Sequence, residues 1–304
     1  MATDRPLLGV LLMLGFCALA PMGDSMAKLL GATIPLLQLL LVRFAIQAAL
    51  LAPLVLAGGG MRLSNRVLRL SALRTALHIS GIGAMFASLR FLPLADAVAI
   101  AFVMPFILLL LGRFFLDEEV GPRRLSACAV GFLGTMLVVQ PSFTEVGAPA
   151  LLPLVVAVVF ALFMLVTRRI AKEADPLALQ FVSGLMASGV LALAWAVLGG
   201  LHPDLDVVWP AGREVALLVA IGVLGTVAHL LMTWSLRFAP SATLAPMQYL
   251  EIPFATLIGW LVFRDLPDGL AALGIAVTVG AGLYIIYREQ MTARALTRPA
   301  PPAI

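Results

Sequence analysis

The chain has 304 residues, of which 62% are hydrophobic and only 12% are charged, and its mean hydropathy is +1.07. A soluble domain is about half apolar and about one quarter charged. The composition therefore argues against a water-soluble enzyme, a disordered protein and a disulfide scaffold, and indicates an integral membrane protein. The net charge of +4 does not indicate nucleic-acid binding, because no basic run exceeds two residues. Cys17 and Cys128 lie apart in apolar segments, so no disulfide, metal site or cofactor is predicted.

Ten apolar segments, separated by charged residues, glycine or proline, follow one another along the chain. A membrane-spanning helix needs roughly 20 residues, so the pattern predicts an all-α integral membrane protein with ten transmembrane helices. The first segment resembles a signal peptide, but Pro21 disfavours cleavage after Ala20 and the apolar run continues to Leu30, so we interpret it as a retained span. The predicted segments are 7–29, 34–57, 69–91, 95–116, 125–141, 149–168, 176–199, 214–237, 242–263 and 268–287.

Lysine and arginine are distributed unequally between the two ends of these segments. With the N-terminus inside, fifteen of the 20 basic residues fall at cytoplasmic ends and three at outer ends, which predicts cytoplasmic N- and C-termini in a bacterial inner membrane. Arg74, in the third segment, is interpreted as an anchor at the cytoplasmic interface. The cytoplasmic set is Arg5, Arg62, Arg66, Arg69, Arg74, Arg113, Arg123, Arg124, Arg168, Arg169, Lys172, Arg237, Arg288, Arg294 and Arg298. The outer set is Arg90, Arg213 and Arg264.

The two halves of the sequence resemble each other. The motif Ser88-Leu89-Arg90-Phe91-x-Pro93-x-Ala95 recurs 147 residues later as Ser235-Leu236-Arg237-Phe238-x-Pro240-x-Ala242. Further on, Phe115-x-Asp117 recurs as Phe263-x-Asp265. Because a repeat of five helices is odd in number, the second copy enters the membrane from the opposite side, as in alternating-access carriers. We predict inverted five-helix repeats at 1–143 and 144–290, followed by a cytoplasmic tail at 291–304.

These motifs resemble a known family. The run from Pro105-Phe106 to Phe115-Leu116-Asp117-Glu118-Glu119, with the Gly131-x-x-Gly134 helix after it, is similar to the half-domain of the EamA family in the drug/metabolite transporter superfamily. The second half repeats it around Tyr249-Leu250-Glu251-Ile252-Pro253-Phe254, although family members often have no residue between this Glu and Pro. The resemblance covers nearly the whole chain and implies a ten-span secondary carrier of a small organic metabolite or drug, which is not an enzyme.

Within the family, a bacterial subgroup of riboflavin and S-adenosylmethionine uptake carriers is similar near the N-terminus. The motif is Asp24-x-x-x-Lys28 followed by Pro35-x-x-Gln38-x-x-x-x-Arg43. It implies a riboflavin-, S-adenosylmethionine- or amino-acid-like solute, with proton coupling or exchange as the driving process. The direction of transport does not follow from the sequence, because import and export use the same fold.

Charged residues inside apolar segments are the first site candidates, because each costs about 2.5–3.5 kcal/mol on membrane-insertion scales unless it faces the protein interior. Asp24 and Lys28 lie one helical turn apart, so either they form a local ion pair or Asp24 contacts the substrate or a proton. Arg43, with Gln47 one turn later, offers a planar set of donors to a carboxylate or phosphate. The alternative for Arg43 is a structural ion pair with Asp24 or Glu251.

Glu251 is the main candidate for proton coupling or for binding a cationic group, because it lies mid-segment beside prolines that loosen the helix. His78 is a second proton-coupling candidate, although a neutral, packed histidine is the alternative for it and for His229. Pro105 and Pro253 are repeat mates and are predicted to be bend points for gating. The further candidates for substrate binding, through aromatic stacking and hydrogen bonds, are Gln180, Trp234, Gln248 and Tyr249.

Two other functions compete with the carrier. An integral-membrane enzyme acting on a lipid or prenyl carrier would need clustered acids, and Asp117-Glu118-Glu119 is the only such cluster. A channel would carry rings of charge or carbonyls from identical subunits, whereas an internal repeat suits one central site. The expected partners are the lipid bilayer and a small-molecule solute, and a homodimer stays open as an alternative to a monomer.

Overall fold

The computed structural model describes residues 5–58, 63–117 and 121–296, and these ranges contain helices and no strand. Glu118 and Glu119 of the acidic cluster, and residues 297–304 of the predicted tail, lie outside the described residues. The helices are α1 (Pro6–Leu30), α2 (Leu36–Ala57), α3 (Asn65–Ser88), α4 (Leu94–Ala101), α5 (Met104–Phe115), α6 (Pro122–Val146), α7 (Leu152–Ile170), α8 (Pro176–Leu198), α9 (Gly212–Phe238), α10 (Ser241–Leu244), α11 (Glu251–Phe263) and α12 (Gly269–Leu296). Short 3₁₀ turns occupy Ala148–Leu151, Pro203–Leu205 and Ala245–Leu250.

Within the described part of the chain, seven stretches of helix are long and apolar enough to cross a bilayer, which confirms an all-α membrane protein. The other three predicted segments are also helical. Of these, α3 carries Arg66, Arg69 and Arg74, while the other two contain shorter apolar helical stretches, Met247–Phe263 and Gly269–Tyr284. The seven stretches are Pro6–Leu30, Leu36–Ala57, Leu94–Phe115, Leu125–Val146, Ala148–Ile170, Pro176–Leu198 and Gly212–Phe238.

The fourth and ninth predicted segments are each interrupted. The fourth divides into α4 and α5 at Phe102, and the ninth runs through α10 and a 3₁₀ turn before α11 starts at Glu251. Pro105 and Pro253 each lie in the first turn of the half-helix after the break. Proline has no N–H group to donate, so it is favoured in the first turn of a helix over the interior. Pro105 and Pro253 therefore lie directly after the two helix breaks.

Interactions between loops define two ends of the bundle. At the amino end, the Arg5 N–H donates to the Phe238 carbonyl at 2.8 Å, and Arg66 on α3 pairs with Glu173 after α7. At the opposite end, Arg90 Nη1 lies 2.6 Å from Asp204 Oδ1. Residues early in α1 and α3 are therefore near the amino end, and residues early in α2 and α9 are near the opposite end.

The helices of the first half pack mainly on those of the second. The contacts come in matched pairs: α1 on α9 with α3 on α7, α1 on α11 with α5 on α7, and α2 on α9 with α3 on α8. Two further contacts, α2 on α8 and α6 on α12, join helices at equivalent positions in the two halves, and the contact of α4 with α11 is matched by that of α5 with α10. If the two halves are exchanged, each of these contacts therefore becomes either the same contact or the contact with which it is matched.

Candidate functional site

A cavity of about 80 Å³ lies between the two halves, beside the helix breaks at Phe102 and Glu251. Four polar side chains enter it from four helices: Asp24 on α1, Arg43 on α2, His229 on α9 and Glu251 on α11. Most of the wall is apolar. Small-molecule sites usually measure about 300–1,000 Å³, so the helices around this cavity must separate before a metabolite fits. Its aromatic lining consists of Phe16, Phe86, Phe102 and Phe160.

Arg43 lies at the cavity with part of its hydrogen-bonding capacity unused. Its side chain is 3% exposed, and its Nη2 lies 3.1 Å from His229 Nδ1. Gly225 makes room for it, because a Cβ atom at that position would lie 2.8 Å from Arg43 Nε. Arg43 Nη1 is buried and has no hydrogen-bond partner among the described residues. Since a guanidinium carries five N–H donors, Arg43 can still bind an acceptor in the cavity.

The two carboxyl groups of the cavity make no ion pair with any described residue. Glu251 is 8% exposed and lies in the first turn of α11, where the helix dipole favours a negative charge. Asp24 interacts electrostatically with Arg43 and also with Glu251. The close structural pair considered for Arg43 is thus not formed, and both carboxyl groups are available to a ligand.

Lys28 does not pair with Asp24, so the local ion pair considered for these residues is wrong. Its Nζ lies 3.4 Å from Asp265 Oδ2 and donates to the Leu92 carbonyl at 2.9 Å. It also lies 4.9 Å from the centre of the Phe263 ring. The long lysine side chain reaches polar groups at the opposite end of the bundle, which leaves Asp24 facing the cavity.

His78 lies next to the cavity, one helical turn from the lining residue Ile82. Its ring centre is 4.4 Å from that of His229, and neither of its nitrogens has a partner among the described residues. His229 Nδ1 lies 3.1 Å from Arg43 Nη2 and 2.9 Å from the Gly225 carbonyl. A single ring nitrogen either accepts from a guanidinium or donates to a carbonyl. The two contacts of His229 are therefore alternatives.

Arg74 is fully buried, so its interpretation as an interface anchor is wrong. Its Nε donates to Thr167 Oγ1 at 2.9 Å, its Nη1 to Ser183 Oγ at 2.7 Å and its Nη2 to Thr233 Oγ1 at 3.3 Å. These hydroxyl groups come from α7, α8 and α9, so Arg74 joins α3 to three helices of the second half. No described carboxylate pairs with it. The only sequence signal for this cluster was the presence of hydroxyl residues within apolar helices.

Gln47 and Gln180 extend this cluster and do not line the cavity. Gln47 Nε2 donates to the Gln180 backbone carbonyl at 2.7 Å and lies 3.2 Å from Gln180 Oε1. Gln180 Nε2 in turn donates to Thr233 Oγ1 at 3.1 Å. Thr233 is one turn from the cavity residue His229, so the cluster continues from the cavity toward the amino end.

Three further candidates lie outside the cavity lining. Trp234 packs against an apolar cluster of α2, α8 and α9. Gln248 Nε2 lies 3.5 Å from Met164 Sδ, and the buried Tyr249 ring has its centre 5.7 Å from that of Phe102. The structure thus brings Asp24, Arg43 and Glu251 together without these three side chains.

Known proteins match the chain in sequence and in fold. The sequence profile of the EamA-like transporter family matches residues 7–140 and again residues 148–288. A riboflavin transporter of Rhizobium johnstonii is 32% identical over 73% of this chain and 71% of its own length. An S-adenosylmethionine uptake transporter of Rickettsia felis is 24% identical over 88% of each chain. A pseudopaline exporter of Pseudomonas aeruginosa is 27% identical over 86% of this chain and 88% of its own. One crystal structure aligns with a TM-score of 0.67 at 22% identity, over 96% of this chain and 98% of that one.

Proposed function

The chain belongs to the EamA-like transporter family, and from this premise we propose that it is a secondary carrier that moves its solute by alternating access. The family match and the relatives confirm a multi-pass membrane protein that transports a small metabolite. We assign the solute site to the cavity that contains Asp24, Arg43 and Glu251. The supporting observation is that charged groups from three helices meet in one buried cavity between the two halves, in a membrane where each is otherwise costly.

We also propose that the two halves are inverted five-helix repeats with both termini in the cytoplasm. The exchange of helix contacts between the halves supports this arrangement. So does a matched feature at the two ends of the bundle. At the opposite end, Lys28 lies over the ring of Phe263. At the amino end, Arg169 lies over the ring of Phe115, which is the repeat mate of Phe263, 6.0 Å from the ring centre.

Single cysteines test this orientation. In a variant whose native cysteines are replaced by serine, we expect a membrane-impermeant thiol reagent to label Arg213→Cys in right-side-out vesicles. We expect Glu173→Cys to be labelled only after the membrane is permeabilised. Both positions are exposed, so accessibility within the protein is matched. Labelling of Glu173→Cys in intact vesicles would contradict the proposed orientation.

The breaks before Pro105 and Pro253 are the proposed bend points of the gate. Each half-helix that follows a break reaches the cavity, through Met104 on α5 and through Glu251 on α11. A change of angle at either break would therefore move a cavity residue. This links the width of the cavity to the position of the half-helices.

The names of the relatives provide the first probe solutes for transport. We expect proteoliposomes containing the protein to exchange labelled S-adenosylmethionine or riboflavin for the same unlabelled compound inside, at rates above those of protein-free liposomes. Arg43→Gln is expected to lower the rate, whereas Arg213→Gln, at an exposed position, is the matched control. Steady single-channel currents would contradict a carrier, and uptake of neither compound would exclude both as solutes.

A further inference from the structure

The charged groups of the cavity are unequal in number. Asp24 on α1, Arg43 on α2 and Glu251 on α11 all line it. Two carboxyl groups therefore share the cavity with a single guanidinium, and no described cation pairs with Glu251. A charge without a partner is costly in a low-dielectric environment. The Glu251 side of the cavity is therefore suited to a positive charge from outside the protein.

The Arg43 side has the opposite requirement. Arg43 Nη1 is buried and unpartnered among the described residues, while Nη2 is used by His229. Because the guanidinium is planar and presents parallel N–H groups, its preferred partner is a carboxylate or phosphate. When such a group draws Arg43 into the cavity, His229 Nδ1 can donate to the Gly225 carbonyl instead, at its present distance of 2.9 Å. His229 Nδ1 therefore keeps a hydrogen-bond partner after its contact with Arg43 is lost.

The walls of the cavity add a third requirement. Four phenylalanine rings line it, on α1, α3, α7 and at the break between α4 and α5. Aromatic faces attract cations and also stack on flat rings. A flat apolar part of a solute can therefore occupy the space between the charged groups.

We propose that the cavity selects a solute carrying both an anionic and a cationic group, with the anionic group bound by Arg43 and the cationic group bound by Glu251 and Asp24. This inference rests on the proposed function of the cavity as the solute site. It has a specific consequence. A neutral compound such as riboflavin matches neither charge and should bind more weakly than a zwitterion of similar size, although a riboflavin transporter is among the relatives.

Four adenosyl compounds test the inference, because they share the thioadenosine group and carry different combinations of the two charges. S-adenosylhomocysteine carries an ammonium and a carboxylate, its N-acetyl derivative only the carboxylate, its decarboxylated amine only the ammonium, and 5′-methylthioadenosine neither. Dissociation constants are measured by calorimetry on the full chain in lipid nanodiscs. We expect S-adenosylhomocysteine to bind at least about tenfold more tightly than either singly charged derivative, as expected for one charge-assisted hydrogen bond.

Two variants assign each charge to its residue. Arg43→Gln is expected to abolish the advantage of the carboxylate and to retain that of the ammonium, and Glu251→Gln is expected to do the reverse. Arg213→Gln and Glu145→Gln make the same chemical changes at exposed positions and should leave both ratios unchanged. The series on the unaltered protein tests the inference even where a variant fails to fold.

The outcomes separate this inference from the function on which it rests. Equal affinities across the four compounds, or tighter binding of riboflavin than of S-adenosylhomocysteine, would overturn the charge selection and leave the carrier standing. If neither the series nor riboflavin binds, the charge selection and the assignment of the cavity as the solute site both fail. Ratios that do not change in Arg43→Gln or Glu251→Gln would overturn the assignment of the charges to these residues.

Discussion

Replacing Arg74 by methionine is expected to lower the free energy of unfolding by about 2–5 kcal/mol. The guanidinium donates hydrogen bonds to three buried hydroxyl groups, and bonds to charged groups contribute about 1.5–3 kcal/mol each. Against this, placing a cation inside the membrane costs about 2.5–3.5 kcal/mol. The hydrogen bonds outweigh the cost, so arginine is the more stable residue even without a carboxylate partner.

The measurement is unfolding of the purified protein in a mild detergent, followed by tryptophan fluorescence. Arg69→Met on the same helix is the matched control, because Arg69 is exposed and its replacement should change stability by less than about 0.5 kcal/mol. Equal stability of the two variants would show that the hydroxyl cluster does not hold α3 to the second half. Because those hydroxyl groups lie on α7, α8 and α9, we also expect slower solute exchange in Arg74→Met.

Glu251→Gln is expected to reduce exchange of a cationic solute by about tenfold or more and to weaken its dependence on pH. Protonation of Glu251 removes the negative charge that the solute requires, so wild-type affinity should fall as the pH is lowered. A glutamine has no charge to lose, so the affinity of the variant should be weaker, and Asp24 is the carboxyl group of the cavity that still titrates. The other titratable or charged groups that line the cavity with Glu251 are Asp24 on α1, Arg43 on α2 and His229 on α9.

Solute exchange in proteoliposomes over a series of pH values checks this result. Glu145→Gln is the matched control, because Glu145 is exposed and does not line the cavity. His78→Asn tests the second proton-coupling candidate: loss of pH dependence in this variant would assign a role to the adjacent rings of His78 and His229. A pH profile of Glu251→Gln that matches the wild type would remove Glu251 from the coupling process. If a proton and the solute compete for the Glu251 carboxylate, the carrier would exchange protons for solute.

Hydropathy was sufficient to predict the membrane class and the approximate helix segments, and the proline positions marked Pro105 and Pro253 as candidate bend points. These features depend on short stretches of chain, because transfer into a bilayer and the missing N–H of proline are local properties. The internal motifs were also sufficient to identify the family. All of this information is carried by residues close together in sequence.

The composition of the cavity required the folded chain. The helices are apolar both where they face lipid and where they face one another, so the hydropathy pattern does not reveal which side of a helix faces the interior. Arg74 illustrates this point, because its partners lie on three helices of the other half. Lys28 likewise binds Asp265 at the far end of the sequence, and Trp234 packs outside the cavity. The partner of a polar side chain depends on how distant helices rotate and pack, which no local pattern encodes.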